Sequence, residues 1–189
     1  QQSAQGQLII CGRRPGSWLG LFQHPKAQPQ WINAAPNRPL SGHCCFSPNG
    51  HLFFSAENAL DMGQGVIGVW HSQSGQRLSE WLSHGVGPHE ILISQDRMHL
   101  WVANGGILTH PDHGREKLNL NTMNSNMSCL SLINGGLSQQ YTIKEPKLSM
   151  RHIAINQHEQ VAVACQYQGP VHLRKNLLLL ISEGQIKYL

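Results

Sequence analysis

The chain has 189 residues, of which 40% are apolar and only 13% are charged, so it can bury one sizeable core under an unusually uncharged surface. Its longest apolar run covers only residues 177–181, which excludes a membrane-spanning segment. The net charge is +4 and the lysines and arginines are scattered along the sequence, so we predict that the protein does not bind nucleic acid.

Short apolar stretches separated by turn residues begin near the amino terminus. Residues 7–11, 17–23 and 30–34 have the composition of β-strands, with Gly and Pro between them. They predict three strands of a first blade, 7–34, whose innermost strand is missing.

A hairpin pattern then occurs three times, at residues 43–57, 89–104 and 152–166. In each copy a histidine opens an apolar strand, a polar turn follows, and a second apolar strand ends on a polar residue. The opening and closing residues are 14, 15 and 14 positions apart, and the closing residues are Glu57, Asn104 and Gln166. Apolar strands that recur with tight turns are typical of a repeat architecture, here a β-propeller.

Each hairpin is followed by two further strand candidates, which would complete a four-stranded antiparallel sheet, or blade. We therefore predict an all-β fold of one β-propeller domain, with complete blades at residues 41–82, 87–143 and 150–189. A closed propeller contains about four to eight blades. We therefore expect this chain to be part of a longer propeller.

The second complete blade carries an insertion at residues 105–123, which is rich in Gly, Pro, His and charged residues. A loop of this length without secondary structure is usually functional or disordered. The insertion follows the last residue of a second strand, so it should leave from the same end of the propeller as the opening histidines. We expect it to cover the mouth of the central channel.

The channel mouth is the predicted ligand site. In a propeller blade the innermost strand and the next strand are antiparallel. The first residue of the innermost strand and the last residue of the next one therefore lie at the same rim. Channel mouths with convergent polar groups are the usual binding sites of such folds. The candidate site residues are Arg14, His43, His89, Glu90, Asn104, His110, Arg115, Lys117, Arg151, His152 and Gln166.

Two kinds of ligand are compatible with these residues. Neutral imidazoles from His43, His89 and His152 would suit a transition metal such as Zn, Cu or Fe, and this is the only cofactor that the sequence suggests. Without a metal, the arginines and Lys117 would attract a small anionic ligand, such as a carboxylate, a phosphate or a haem propionate. A third interpretation is structural, because the histidine of WD repeats ties strands together by hydrogen bonds.

Several motifs follow one another along most of the chain, at residues 13–16, 42–43, 46–50, 84–90, 103–107, 109–111, 114–120, 151–152 and 166–169. Their sequences and their order resemble those of the bacterial family known as domain of unknown function 1513. The match departs at Gln95-Asp96-Arg97, where Pro-Asp-Gly is usual. The resemblance implies a seven-bladed propeller similar to the YVTN and quinoprotein types, exported to the periplasm, with redox or iron-uptake proteins as possible partners. No activity is established for the family.

We favour a periplasmic binding or accessory protein over an enzyme, because no nucleophile or cofactor motif is visible. Two alternatives remain open. The first is a hydrolase of the lactonase type that acts on a small anionic substrate, with His89 and Glu90 as acid–base groups. The second is a scaffold that binds only other proteins.

Overall fold

The computed structural model describes residues 1–114 and 116–189, and almost all of its regular structure is β-strand. A single 3-10 turn covers Pro111–His113, and within the described residues no helix is long and apolar enough to cross a membrane. The predicted all-β fold is confirmed. The strands are β1 Leu8–Cys11, β2 Trp18–Phe22, β3 Gln30–Asn33, β4 Leu40–Phe46, β5 Leu52–Ala59, β6 Gln64–His71, β7 Arg77–Leu82, β8 Pro88–Ile93, β9 His99–Asn104, β10 Asn126–Ser131, β11 Leu137–Thr142, β12 Leu148–Ile155, β13 Val161–Tyr167, β14 Leu178–Ser182 and β15 Gln185–Tyr188.

The strands form four antiparallel sheets in chain order. The first sheet has three strands, β1 to β3, and the others have four each: β4 to β7, β8 to β11 and β12 to β15. The three repeated hairpins of the sequence are β4–β5, β8–β9 and β12–β13. Sheets that follow one another in this way are the blades of a propeller.

Blade stacking explains which strands are apolar on both faces. The second strand of the second sheet, β5, is buried at almost every position, because another sheet covers each of its faces. The outer strands β7 and β11 are mostly exposed, and their sequences are correspondingly polar. Three apolar clusters fill the spaces between neighbouring sheets, with Phe53, Phe54 and Met150 among their fully buried members.

The closing residues Glu57 and Asn104 do not reach the channel mouth, which corrects the prediction from the sequence. Glu57 accepts hydrogen bonds from Ser55 and from the Arg77 guanidinium, the latter at 2.8 Å, and its side chain is 1% exposed. Burial raises the pKa of Glu57, although the hydrogen bond and charge of Arg77 oppose the change. Ser55 also accepts a hydrogen bond from the Trp70 indole at 2.8 Å, so this network joins the strands of one blade.

Asn104 has the same kind of role in the third sheet. Its amide donates to the Ser83 carbonyl at 2.9 Å and to the Asn126 side chain at 2.8 Å, and the residue is 0% exposed. Both closing residues therefore connect strands in the interior of a blade, although Oε2 of Glu57 and Oδ1 of Asn104 have no hydrogen-bond partner among the described residues.

The inner strands β4, β8 and β12 are irregular where they approach the mouth. Their pairing with the next strand shifts between Leu40 and Cys44, between Pro88 and Glu90, and between Met150 and His152. Such bulges change the direction in which neighbouring side chains point.

The positions of the histidines can be counted from the turn of each hairpin. The last paired residues before the turns are Phe46, Ile93 and Ile155. Three positions before these lie His43, Glu90 and His152. The expectation that the three histidines occupy one equivalent place is therefore wrong: Glu90 occupies that place in the third sheet, and His89 lies one residue earlier.

Candidate functional site

The three predicted histidines meet at the channel mouth. The ring centres of His43 and His89 are 4.9 Å apart, those of His89 and His152 are 5.0 Å apart, and those of His43 and His152 are 5.6 Å apart. Each ring offers one nitrogen, and the three nitrogens lie within 4.8 Å of one another. Three consecutive blades thus contribute one imidazole each to a single cluster.

Glu90 lies between two of these imidazoles because it occupies their equivalent place in the middle blade. One carboxylate oxygen is 3.7 Å from Nδ1 of His43, and the other is 3.4 Å from Nδ1 of His152. The second oxygen also accepts the main-chain N–H of Ile153 at 2.6 Å. A carboxylate that faces Nδ1 favours the tautomer with the proton on that atom and leaves Nε2 as the lone-pair donor.

A cavity of about 580 Å³ opens above the cluster and is lined by the three histidines. A volume of this size is typical of sites for small molecules. Residues of the insertion, including Thr109 and Pro111, form part of its wall, as the sequence predicted for a loop over the mouth. Further predicted residues that line the cavity are Arg14, His110, Lys117, Arg151 and Gln166.

Two of the predicted site residues are not among the residues that line the cavity. Asn104 is buried within its blade, and Glu90 lies behind the histidines rather than on the cavity surface. The prediction for Arg115 falls outside the described residues.

Arg13 and Asn58 line the cavity but were not predicted. Asn58 follows Glu57 on β5, and its amide donates to the hydroxyl of Ser41 at 3.3 Å. Successive residues of a strand point to opposite faces, so this alternation would have indicated Asn58 once Glu57 was assigned to the interior of the blade.

Burial and positive charge keep the deepest imidazole neutral. The pKa of His89 is lowered to about 3, first by burial and then by the charge of Arg151. Burial also lowers the pKa of His43, and the nearby charge of Glu90 opposes that change. Nδ1 of His89 is buried and has no hydrogen-bond partner among the described residues.

The arginines of the wall carry positive charge into a partly buried setting. Burial and, to a smaller extent, the charge of Arg14 lower the pKa of Arg151 to about 10. The pKa of Arg14 is itself lowered by burial and by Arg13. Nε of Arg151 is buried without a hydrogen-bond partner in the described part of the chain. An unsatisfied buried guanidinium N–H is an available donor for a ligand.

Asn119 anchors the insertion close to the cavity. Its side chain accepts the main-chain N–H of Leu108 at 2.7 Å and donates to the Gly106 carbonyl at 2.9 Å. Lys117 donates to Gln168 at 2.6 Å, which connects the insertion to the chain that follows β13. These three contacts hold the loop in place over the histidines.

This arrangement combines two chemical capabilities in one cavity. Three imidazoles, two of which face a carboxylate, can coordinate a metal ion, and guanidinium groups can pair with an anion. The structure thus brings the metal-ligating and the cationic residues of the prediction onto the same surface.

Comparison with solved structures identifies the fold. The chain is similar to hydrazine synthase of Kuenenia stuttgartiensis, with a TM-score of 0.68 and 16% identity over 94% of this chain and 48% of that one. It is also similar to the WD40 β-propeller domain of Doa1, with a TM-score of 0.63 and 13% identity over 95% of this chain and 48% of that one. At such low identity the likeness shows the fold alone, which is a β-propeller.

The chain spans about half the length of these structures. No curated protein matches its sequence. The model of the family described as "Protein of unknown function (DUF1513)" matches residues 1–189, so the chain belongs to this family, as its sequence motifs indicated.

Proposed function

We propose that this propeller is a binding or accessory protein that holds a transition-metal ion at His43, His89 and His152. The observation that carries the proposal is that three blades place one imidazole nitrogen each within 4.8 Å of the others. Three nitrogens bound to a tetrahedral metal at about 2.1 Å would lie about 3.4 Å apart, so modest side-chain rotations close the site.

The donor set favours Zn, Cu or Fe over Mg or Ca. Imidazole nitrogen suits these transition metals, whereas Mg and Ca prefer oxygen ligands. Glu90 supports the two outer imidazoles in the manner of the carboxylates that orient histidine ligands of metals. Three protein ligands would leave a fourth coordination position open to a further ligand.

Binding is a better supported function than hydrolysis. A lactonase-type mechanism would need a general base within reach of a water molecule or substrate. Glu90, the acid closest to the histidines, faces two imidazoles and already accepts the main-chain N–H of Ile153. It is therefore suited to orienting ligands rather than to taking a proton from substrate.

A periplasmic location and redox or iron-uptake partners are part of the proposal, and their support is the family resemblance. Cell fractionation with an antibody against this chain would test the location. Recovery of the protein in the cytoplasm would contradict it.

Titration of the purified protein with Co²⁺ tests the metal site, because tetrahedral cobalt bound by histidine absorbs visible light. We expect saturation at one cobalt per chain and displacement by Zn²⁺. His89→Ala and His152→Ala should abolish the signal, while circular dichroism and melting temperature stay nearly unchanged. His51→Ala, which removes an exposed histidine at the turn after β4, is the matched control.

A purely structural role of the histidines predicts the opposite result for these variants, namely a loss of stability. If the histidines only tie strands together, each replacement should destabilise the fold by about 1–3 kcal/mol through unsatisfied partners. Cobalt binding that is absent, or that survives both replacements, would refute the proposed site.

A further inference from the structure

The cavity at the channel mouth has an unbalanced charge. Arg13, Arg14, Lys117 and Arg151 line it, and its described lining includes no aspartate or glutamate. Within the described residues, the ion pairs of arginine and lysine side chains involve Arg38, Arg77 and Lys175 instead. Among residues 1–114 and 116–189, none of the four cations at the mouth therefore has a carboxylate partner.

This charge opposes the entry of a bare metal cation. Like charges in a partly buried site repel one another more strongly than in water, because the surroundings screen them less. Glu90 supplies one negative charge behind the histidines, which does not offset four cations and a divalent ion. A metal ion that arrives with an anion, or an anion that binds the metal in place, removes the conflict.

The same cations are arranged to bind such an anion. Arg14 and Arg151 are half-buried, and both line the same cavity as the histidines. Arg151 also has a buried N–H without a partner among the described residues. A guanidinium group pairs with carboxylate or phosphate oxygens through two parallel hydrogen bonds.

We propose that the ligand of this mouth is a transition metal together with a small multivalent oxyanion that bridges the histidines and the arginines. One anionic group occupies the open position on the metal, and a second pairs with Arg14 and Arg151. The inference rests on the proposed metal site and adds the chemical class of the co-ligand. The cavity of about 580 Å³ has room for an anion with two or three carboxylates or phosphates.

The test uses the full chain loaded with Co²⁺, with citrate as the multivalent probe and acetate as its monovalent counterpart. Citrate should change the visible spectrum of the bound cobalt at a concentration at least about tenfold lower than acetate. Arg14→Gln and Arg151→Gln should each weaken citrate binding by about tenfold or more, because each removes a guanidinium group that pairs with citrate. Lys187→Gln, on the outermost strand of the fourth sheet, should leave citrate binding unchanged.

Arg151→Lys separates the loss of charge from a loss of folding. It keeps a cation but loses the planar pair of donors, so its citrate affinity should lie between those of the wild type and of Arg151→Gln. Circular dichroism and the melting temperature identify any variant that fails to fold.

Three results would overturn this inference. In the first, cobalt binds but citrate does not, which would refute the anionic co-ligand and leave the proposed metal site intact. In the second, citrate binds equally well after Arg14→Gln and Arg151→Gln. In the third, metal-free protein binds citrate as tightly as loaded protein, which would indicate an anion site without a bridging metal. A failure of the proposed function is seen earlier, as an absent cobalt spectrum before any citrate is added.

Discussion

The carboxylate of Glu90 in β8 accepts the main-chain N–H of Ile153 in β12 at 2.6 Å, and so joins the third sheet to the fourth beside the histidine cluster. Glu90 therefore has two separable roles: it accepts a hydrogen bond between blades, which does not require a charge, and its negative charge faces two imidazoles.

Glu90→Gln should separate these roles. The amide oxygen can still accept the Ile153 N–H, but the negative charge that orients His43 and His152 is lost. We expect stability to change little and cobalt affinity to fall by about 10–100-fold. Glu90→Ala should also leave the Ile153 N–H unsatisfied and destabilise the fold by about 1–3 kcal/mol in urea unfolding.

Glu159→Gln is the matched control. Glu159 accepts the main-chain N–H of Asp96 at 2.7 Å, a similar contact between the third and fourth sheets at the turn end of the hairpins. Its replacement should leave cobalt affinity unchanged. An equal loss of affinity in both variants would show that Glu90 acts only through the spacing of the blades.

Arg77→Met should destabilise the second sheet in a pH-dependent way. Removal of the arginine leaves the buried Glu57 without its charged partner, which costs about 3–5 kcal/mol when the carboxylate stays ionised. Because the pKa of Glu57 in the folded state is already raised by burial, protonation favours the folded state. The loss should therefore be full near neutral pH and shrink as pH falls toward the ordinary range of a carboxyl group.

Urea unfolding of wild type and Arg77→Met across this pH range measures the effect. Glu80→Gln is the comparison variant, since it removes the more exposed partner of Arg77, which also pairs with Arg38, and leaves Glu57 paired with Arg77; its cost should be smaller than that of Arg77→Met. A loss in Arg77→Met that is the same at every pH would point to the contact of Arg77 with the Trp70 ring, 5.1 Å away, rather than to Glu57.

The outward face of the fourth sheet should promote association of the chain. Ala154 and Ala164 are exposed on it, next to Leu178 and Leu180 of β14, and together they form an apolar surface on a regular sheet. Extended apolar surfaces of this kind mark sites of association. We expect sedimentation velocity to show self-association that increases with protein concentration.

Ala164→Lys should reduce this association by placing a charge at the centre of the face. Ile133→Lys changes an apolar residue that is 80% exposed at the turn after β10, and it should have no effect. A chain that remains monomeric at every concentration would contradict the prediction.

Asn119→Ala should loosen the insertion over the cavity. The side chain makes two hydrogen bonds to the main chain of the loop stem, so we expect a stability loss of about 1 kcal/mol and easier local opening. Limited trypsin digestion should cut faster after Lys117. Asn121→Ala, at an exposed position two residues later, should digest like the wild type, and equal rates in both variants would mean that other contacts hold the loop.

Much of the fold could be predicted from the sequence because strands and turns are local features. The predicted blade at 41–82 corresponds to β4–β7, which cover residues 40–82, and the predicted hairpins correspond to the observed ones. Alternating apolar residues and tight turns specify a hairpin without reference to distant parts of the chain.

The candidate site was harder to predict because it depends on side-chain direction. The register shifts of β4, β8 and β12 change which residues face the channel, and one or two extra residues in a strand leave almost no trace in its apolar pattern. The interior hydrogen bonds of Asn104 were equally hidden, because their partners come from other strands and from the loop before β8. Proximity of the three histidines could be predicted, but the position of Glu90 among them could not.

In the third sheet a carboxylate occupies the position that an imidazole occupies in the second and fourth sheets, and this difference affects the symmetry of the channel mouth. Identical hairpins arranged about an axis can produce only a symmetric ring of identical groups, which has no preferred direction for a ligand. The presence of Glu90 where the neighbouring blades have His43 and His152 breaks that symmetry. A fold built from repeats thereby acquires a binding site with direction. The Glu90 carboxylate contacts two imidazoles, whereas arginines and Lys117 line the cavity.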